Sequence, residues 1–378
     1  MKSNKNTTVF VGLSGGVDSS VTAALLKKAK PNNFKKLFGR PTPKGFSGYK
    51  VVGVFIRTWQ PDFIECNFRE DRLDAMRVAA KLDIPFLECD VEDAYKKAVA
   101  DYMIEEYRAG RTPNPDVMCN REIKFGIFWQ FAKEHGADYI ATGHYARIEH
   151  KAQSLKLKVA NDASKDQAYF LYRLTSDDLA HVLFPIGHLQ KTEVRKLAEK
   201  FDLATSKKKD SQGVCMLGDL DLKQFLEHYI PSVRGDVLNT EGEVIGYHDG
   251  AIFLTLGERH GFTITKKTPN DGRYYILAKD IEKNTIVVSN KQEATQEKHS
   301  NILPNVGISK CSWVLGVPEE SKKYTAQIRY HGEFLPCVIQ NIKNNSAEII
   351  FEKSVLVAKG QSIVVYDDNV CLGGGIVE

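Results

Sequence analysis

The sequence has no apolar run approaching the roughly 18–20 residues that a membrane-crossing helix needs, so no membrane partner is expected. Its 7 cysteines are an odd number, and no two form a Cys-x-x-Cys pair. Neither a disulfide framework nor a structural zinc site is expected, and no metal ligands are assigned. Internal repeats and low-complexity tracts are absent. Residues 1–8 are polar, and the apolar run behind them, 9–13, is too short for the core of a secretion signal. A cytoplasmic protein is the expectation.

What is present is ordinary in total and uneven in place. Hydrophobic residues make up 42% and charged residues 26%, the proportions of a globular protein, and 378 residues suggest two or three domains. Net charge is +4, and the excess lies early: residues 1–222 carry 35 Lys and Arg against 29 Asp and Glu, while 223–301 and 302–378 are each close to neutral. Between Ser19 and Pro61 stand nine basic residues, from Lys27 and Lys28 to Lys50 and Arg57, and no acid. The stretch reads either as a phosphate-binding stripe or as a solvated basic loop.

Apolar runs at 8–13, 51–56, 85–89 and 139–142 read as strands. Helical spacing lies between them, at 18–26, 70–82, 91–107 and 122–135, with a turn-rich loop at 30–48. Strands alternating with helices predict an α/β domain with a parallel, Rossmann-like sheet over residues 1–222. The pattern fades there. Short β-rich runs follow at 251–255, 285–289, 324–330, 334–339, 348–351 and 362–366. They predict a small β-rich central domain over 223–301 and a C-terminal β-barrel over 302–378, joined through the polar stretch 291–300.

The strongest local signal is Gly12-Leu13-Ser14-Gly15-Gly16-Val17-Asp18-Ser19, between the first strand and the first helix. Small residues let a backbone approach an anion, and the free N–H groups of the turn and helix start then point at it. It is neither a Walker loop, since no Gly-Lys-Ser/Thr follows, nor G-x-G-x-x-G. It resembles the S-G-G-x-D-S loop of the N-type ATP pyrophosphatases (the PP-loop family). That resemblance implies ATP cleaved to AMP and pyrophosphate, with Asp18 helping to hold Mg2+.

Two cysteines stand in unusual company. Asp116 precedes Cys119 by three residues in a proline-stiffened loop, with Arg111, Arg121 and Lys124 close in sequence. Cys215 follows the basic run Lys207-Lys208-Lys209. Nearby cations favour the thiolate, so both cysteines are expected to be reactive and the other five to be buried small hydrophobes. An ATP loop with two activated cysteines suggests sulfur transfer through a persulfide and thiol–disulfide exchange.

With these segments in hand, almost the whole chain, from residue 8 to the end, resembles the tRNA-specific 2-thiouridylase family. Matching segments include Asn114-Pro115-Asp116 through Cys119, Ala141 through Tyr145, Lys165-Asp166-Gln167, residues 210–215, Ile328-Arg329-Tyr330, and Gly360-Gln361 with residues 370–375. The resemblance implies ATP-dependent 2-thiolation of the wobble uridine, with Cys119 and Cys215 as the reacting cysteines and Asp116 as acid or base. It implies an adenine site at Ile56 and Gly143. It also implies base or tRNA contacts at Asn114, Pro115, Asp116, His144, Lys165, Asp166, Gln167, Arg329, Tyr330 and Gln361. The implied partners are tRNA, through its anticodon loop, and a sulfur donor such as a cysteine desulfurase or a sulfur-relay protein. From the residues alone, His144 can equally be a packing histidine, Lys165-Asp166 a helix start and Arg329-Tyr330 a surface pair. The connection 30–49 is longer than the family's usual one. An ATP-dependent ligase or synthetase acting on a small molecule, or a non-catalytic tRNA-binding protein, remain alternatives.

Overall fold

The computed structural model describes residues 7–35, 42, 46–63, 68–151, 154–209, 221–266, 272–290, 302–343 and 345–378. Its first unit is the expected parallel sheet. β1 (Thr7–Gly12), β2 (Tyr49–Arg57), β3 (Phe86–Asp90) and β4 (Tyr139–Ala141) pair in the order β3-β2-β1-β4, and Val182–Leu183 pairs beyond β4. All four pairings are parallel, which buries the central strands on both faces and explains their near-continuous Val, Ile and Phe. Helix α1 (Val17–Lys27) follows β1, and almost every residue in it is buried.

The expected single helices on the other side of the sheet are segmented. Residues 92–108 pass from Glu92–Tyr95 through the π-helical turn Lys96–Asp101 to Tyr102–Arg108. Cys119–Ile127 is also π-helical and continues as Phe128–Glu134. Periodicity does not reveal a widened turn, and such turns gather at functional sites. No helix among the described residues is long and apolar enough to cross a membrane.

A five-stranded sheet follows, in the order Phe262–Ile264, Val244–His248, Gly235–Leu238, Thr285–Ser289, Tyr275–Asp280. The expected strand at 251–255 is instead the 3-10 turn Ala251–Phe253, entered from Gly250. Six strands then close into a barrel. Ile302–Trp313 pairs with both Ser346–Leu356 and the last strand, Val370–Val377, so the sheet has no free edge there. The hairpin Ala146–Lys151/Ser154–Val159, from the first unit, joins the barrel at Val370 through Lys158.

The units also share their cores. Val364, Tyr366 and Cys371 of the barrel are buried with Tyr169 and Tyr172 of the first unit. The Tyr169 hydroxyl donates to the Ser362 carbonyl at 2.8 Å. Ala358 is buried with the central sheet's Val237 and Ile286. The first unit therefore does not end cleanly where its α/β pattern fades in sequence.

Candidate active site

The sheet order reverses between β1 and β4, and in open α/β sheets that switch point opens a crevice at the carboxyl ends of the strands. The loop after β1 and the segment after β4 meet there. A Cβ on Gly143 would lie 2.7 Å from the Ser19 backbone nitrogen and 2.8 Å from the Asp18 carbonyl carbon, so the two segments touch only because residue 143 is glycine.

The loop itself is preorganised. The Ser14 amide donates to Ser19 Oγ at 3.2 Å, and the two serine hydroxyls lie 3.2 Å apart. Ser19 and Ser20 donate to the Gly16 carbonyl at 3.2 and 2.7 Å. No side chain caps the start of α1, so its first amides remain for an anion. Ile56 is buried close beneath Gly12, on the side expected for adenine.

Asp18 is engaged. Lys191 Nζ donates to both carboxylate oxygens at 2.8 Å, and the Tyr145 hydroxyl donates to Oδ1 at 2.9 Å. The expectation that Asp18 holds Mg2+ meets an ion pair instead. No group of three acids, histidines or cysteines able to hold a metal occurs among the described residues. Mg2+ keeps several waters and is commonly bound by one or two carboxylates together with substrate phosphates. Among the described residues the crevice thus offers one carboxylate, already paired with Lys191.

Asp116 and Cys119 stand on the loop expected for them, at the start of Pro115–Met118 and of the π-helical segment. Phe128, which continues that segment, packs beside Gly12. Cys119 differs from expectation: it is 0% exposed. Of the three cations near it in sequence, Arg111 is paired with Glu106 at 2.6 Å and Arg121 with Asp178 at 2.9 Å. Of the remaining five cysteines, Cys89, Cys337 and Cys371 are buried as expected, Cys311 is half-buried, and Cys66 lies outside the described residues. Cys215, and with it the segment 210–220, also lies outside them. Of its basic run, Lys208 pairs with Asp71 and Asp74, at 2.7 Å each.

The residues expected to touch RNA divide into two groups. Asn114 hydrogen-bonds Tyr169, and the Tyr330 ring lies close enough to Asp116 and Asp166 for their charges to help burial push its hydroxyl pKa up to about 12. Arg329 is exposed, with its guanidinium beside Gly257 of the central unit. Pro115 and Lys165 are part-exposed, and Gln361 follows Gly360, which packs on Arg111 and Thr112. These face outward.

Asp166, Gln167 and His144 instead hold the frame. Asp166 Oδ1 accepts from the Ala160 and Ala168 amides at 2.7 and 3.3 Å. Gln167 Oε1 accepts from the Tyr145 amide at 3.0 Å, while its own amide donates to the Tyr145 carbonyl at 2.8 Å. His144 is buried between Phe125 and Phe184, with Nδ1 2.8 Å from the Thr142 hydroxyl. Burial, aided by Lys124, pushes its pKa well down and keeps it neutral. It is a packing histidine, not an exposed tRNA contact. The alternative reading of Lys165-Asp166 as a helix start meets a short 3-10 turn, Ala168–Leu171.

The acid-free basic stretch is not acid-free in space. Arg57 forks onto Glu92 at 2.8 Å and lies near Asp90 and Glu88. Lys27 donates to the Asp83 carbonyl at 2.8 Å. Lys36, Arg40 and Lys44 lie outside the described residues.

Comparison with known proteins fits this geometry. The family model described as "tRNA methyl transferase HUP domain" matches residues 7–39 and 45–219. The "tRNA methyl transferase PRC-barrel domain" matches 223–290, and the "Aminomethyltransferase beta-barrel domain" 305–377. The tRNA-specific 2-thiouridylase MnmA of Exiguobacterium sibiricum is 39% identical, over 100% of this chain and 95% of its own length. Those of Methylobacillus flagellatus and Bacillus subtilis are each 40% identical, over 98% of both chains and over 100% and 96% respectively. The chain belongs to the MnmA family. Among solved structures, the U34-tRNA thiolase NcsA from Methanococcus maripaludis aligns with 19% identity and a TM-score of 0.34, over 61% of this chain and 69% of that one, too slight a likeness to argue from.

For a member of the MnmA family, two residues at the loop went unassigned in the sequence reading. Lys191 lies 173 positions from Asp18 at the start of Lys191–Lys200, and no local signal marks it. Tyr145 falls inside a matching segment, but only the fold shows that it ties Asp18 to Gln167.

Proposed function

We propose that this chain catalyses ATP-dependent 2-thiolation of the wobble uridine of tRNA, as a tRNA-uridine 2-sulfurtransferase. The observation that carries the reading is a pair of connections. Asp18–Tyr145–Gln167 links the nucleotide loop to the segment expected at the RNA, and Asn114–Tyr169 links the Asp116/Cys119 loop to that same segment. A nucleotide, an acid–base group and a thiol thereby serve one crevice. The family models' printed descriptions name methyl transfer. The serine- and glycine-lined loop and the relatives' name favour thiolation instead.

ATP is a substrate here. Its phosphates lie against the amides of Gly15 to Ser19, and its adenine lies between Ile56 and Gly143. Where Mg2+ accompanies ATP it would supply charge neutralisation, and Asp18 is the carboxylate that would help to hold it. The anticodon-loop base is splayed out to reach the crevice. Asp116, beside Tyr330, exchanges the uracil N3 proton as O2 attacks the α-phosphate and pyrophosphate leaves. The outer sulfur of a Cys215 persulfide then attacks C2, and AMP departs with O2. Cys119 attacks the inner sulfur, forming the Cys119–Cys215 disulfide and releasing the 2-thiocarbonyl. A dithiol reductant resets the pair. Direct release of sulfide to C2 is a variant of the same balance. Residues 1–222 supply this chemistry, and 223–301 and 302–378 supply the docking surface for tRNA.

The test is an assay with unmodified tRNA, ATP and a persulfide source, read by mass spectrometry of digested RNA. ATP-dependent 2-thiouridine is expected, with Cys215→Ser abolishing it while ATP and tRNA still bind. AMP release without thiouridine would move a small-molecule ligase to the front, and tRNA binding without ATP turnover a non-catalytic role.

A further inference from the structure

A cleft of about 280 Å³ opens between the first unit and the barrel. Its walls come from Ala160 through Tyr169 on one side and Gln327 through Phe334 on the other. That size is at the lower end of the roughly 300–1,000 Å³ of small-molecule sites, suited to a ring and not to a nucleoside triphosphate.

The barrel wall is built in advance. A tight turn closes with the Gly332 amide on the Arg329 carbonyl at 3.0 Å. At its corner His331 takes φ +57°, a left-handed conformation that costs a non-glycine residue free energy and persists where the surroundings impose it. Here Gln327 imposes it. Its amide donates to the Gly332 carbonyl at 2.9 Å, and its oxygen is itself held by the Tyr366 hydroxyl at 2.9 Å. The result is a stack of Tyr330 and His331, ring centres 3.9 Å apart. Phe334, 45% exposed and edge-on to Tyr366 at 5.0 Å between ring centres, adds a third ring.

The facing wall carries one charged group, Asp166. Three backbone amides hold the carboxylate, those of Ala160 and Ala168 through Oδ1, which leaves one of its roughly four lone-pair sites for an occupant. Burial pushes its pKa up to about 6, so at neutral pH it is an ionised acceptor in an apolar setting. Aromatic faces opposite a single carboxylate match a planar heterocycle whose edge donates N–H. A carboxylate reads the exocyclic amine of a base in this way.

We propose that this cleft is a second nucleobase subsite, holding an unstacked anticodon-loop base other than the target uridine, and that Asp166 selects a base with an exocyclic amino group. The proposal rests on the tRNA reading above. It adds His331, Phe334 and the amine preference, which that reading does not require.

The test is a binding cycle between protein and RNA. An anticodon stem-loop is made abasic at one loop position at a time, and its affinity is measured for the full chain, Phe334→Ala and Asp166→Asn. Phe334 is exposed, and Asn keeps an Oδ1 acceptor for the two amides, so both variants keep their frame. One position other than the target should cost the wild type about tenfold, in line with the loss of one stacked base. In either variant the same abasic change should cost less than twofold. At that position, Asp166→Asn should also erase a preference for adenine, cytosine or guanine over uracil. Equal abasic losses in all three proteins would overturn the subsite. So would an effect confined to the target uridine, or tight occupation by a free nucleoside that leaves stem-loop affinity unchanged. Thiolation is scored separately: a wild type that shows the cycle but makes no thiouridine loses the proposed activity and keeps the subsite. No stem-loop binding at all would overturn both.

Discussion

Lys191 Nζ stands 2.8 Å from both oxygens of Asp18, bridging the first residues of one helix to the first residue of another across the nucleotide crevice. The ammonium also lies over the Tyr145 ring, 5.8 Å from its centre, and the side chain is largely buried. An ammonium held where phosphates arrive serves two anions in turn. Lys191→Met should therefore weaken ATP binding by about tenfold or more, the size of one charge-assisted phosphate contact. Equilibrium ATP binding and AMP release check this. Wild-type ATP affinity in the variant would confine Lys191 to bracing Asp18.

Gly143→Ala tests the contact that defines the crevice. The added methyl meets backbone atoms at 2.7 and 2.8 Å, which no rotamer change relieves. The loop or the strand end must shift, at a cost of about 1–3 kcal/mol. ATP binding should be lost while circular dichroism still reports a folded chain. Unchanged ATP binding would show that the loop sits elsewhere when nucleotide is bound.

These two residues also mark how far the sequence could be read. The loop Gly12–Ser19, the parallel sheet and the barrel were legible because each rests on local pattern: turn residues after an apolar strand, alternation of period two, punctuation by turns. Lys191 was not, because its partner is fixed only when β4 and its following segment fold back beside β1. The pairing of charges was not legible for a related reason. Arg57, Arg111 and Arg121 look uncompensated along the chain, yet each finds an acid brought to it by packing. Cys119 was expected to be reactive on the strength of neighbouring cations, and the π-helical segment in which it lies buried leaves no mark in the periodicity.

Asp166 gives a pH prediction with a definite sign. Its folded-state pKa is raised to about 6, first by burial, with the Ala160, Ala168 and Gln167 amides and Arg147 opposing. An acid raised in this way is favoured protonated by the fold. Below about pH 4 it costs nothing, between about pH 4 and 6 stability falls as the unfolded chain ionises first, and above about pH 6 the full cost of up to about 3 kcal/mol remains. Asp166→Asn should raise the thermal midpoint at pH 7, and the gap to wild type should shrink as pH falls to about 4.5. A wild type more stable than the variant at pH 7 would mean that the ionised carboxylate anchors its three amides strongly enough to outweigh burial.

The root of the catalytic loop is held by both other units. The Thr112 amide donates to the Lys359 carbonyl of the barrel at 2.8 Å, and its hydroxyl lies 3.2 Å from that of Thr255 in the central unit. Gly360 has φ +89°, and a Cβ there would lie 3.0 Å from Arg111 Cβ and the Thr112 carbonyl oxygen. Gly360→Ala should cost about 1–2 kcal/mol in backbone strain and displace residues 110–119. Since Asp116 is on that loop, kcat for thiolation should fall more than about tenfold while ATP binding holds. An unchanged kcat would show that the loop takes its active position independently of the barrel.

Cys119 is fully buried at the start of the widened turn, and a thiol there behaves as a small hydrophobe until it is opened to a partner. In the folded chain alone, a charged alkylating reagent should modify Cys119 at least about a hundredfold more slowly than in the urea-unfolded chain, because its rate tracks the open population. Cys119→Ser should leave ATP binding nearly unchanged, at about 1–3 kcal/mol of stability for the buried hydroxyl, while thiolation stops, since a hydroxyl cannot take sulfur from a persulfide at neutral pH. Adding tRNA should speed the alkylation of the wild-type residue if docking opens the turn. Protection that stays the same with ATP and tRNA together, alongside full activity of Cys119→Ser, would remove this cysteine from the chemistry and leave it a core residue.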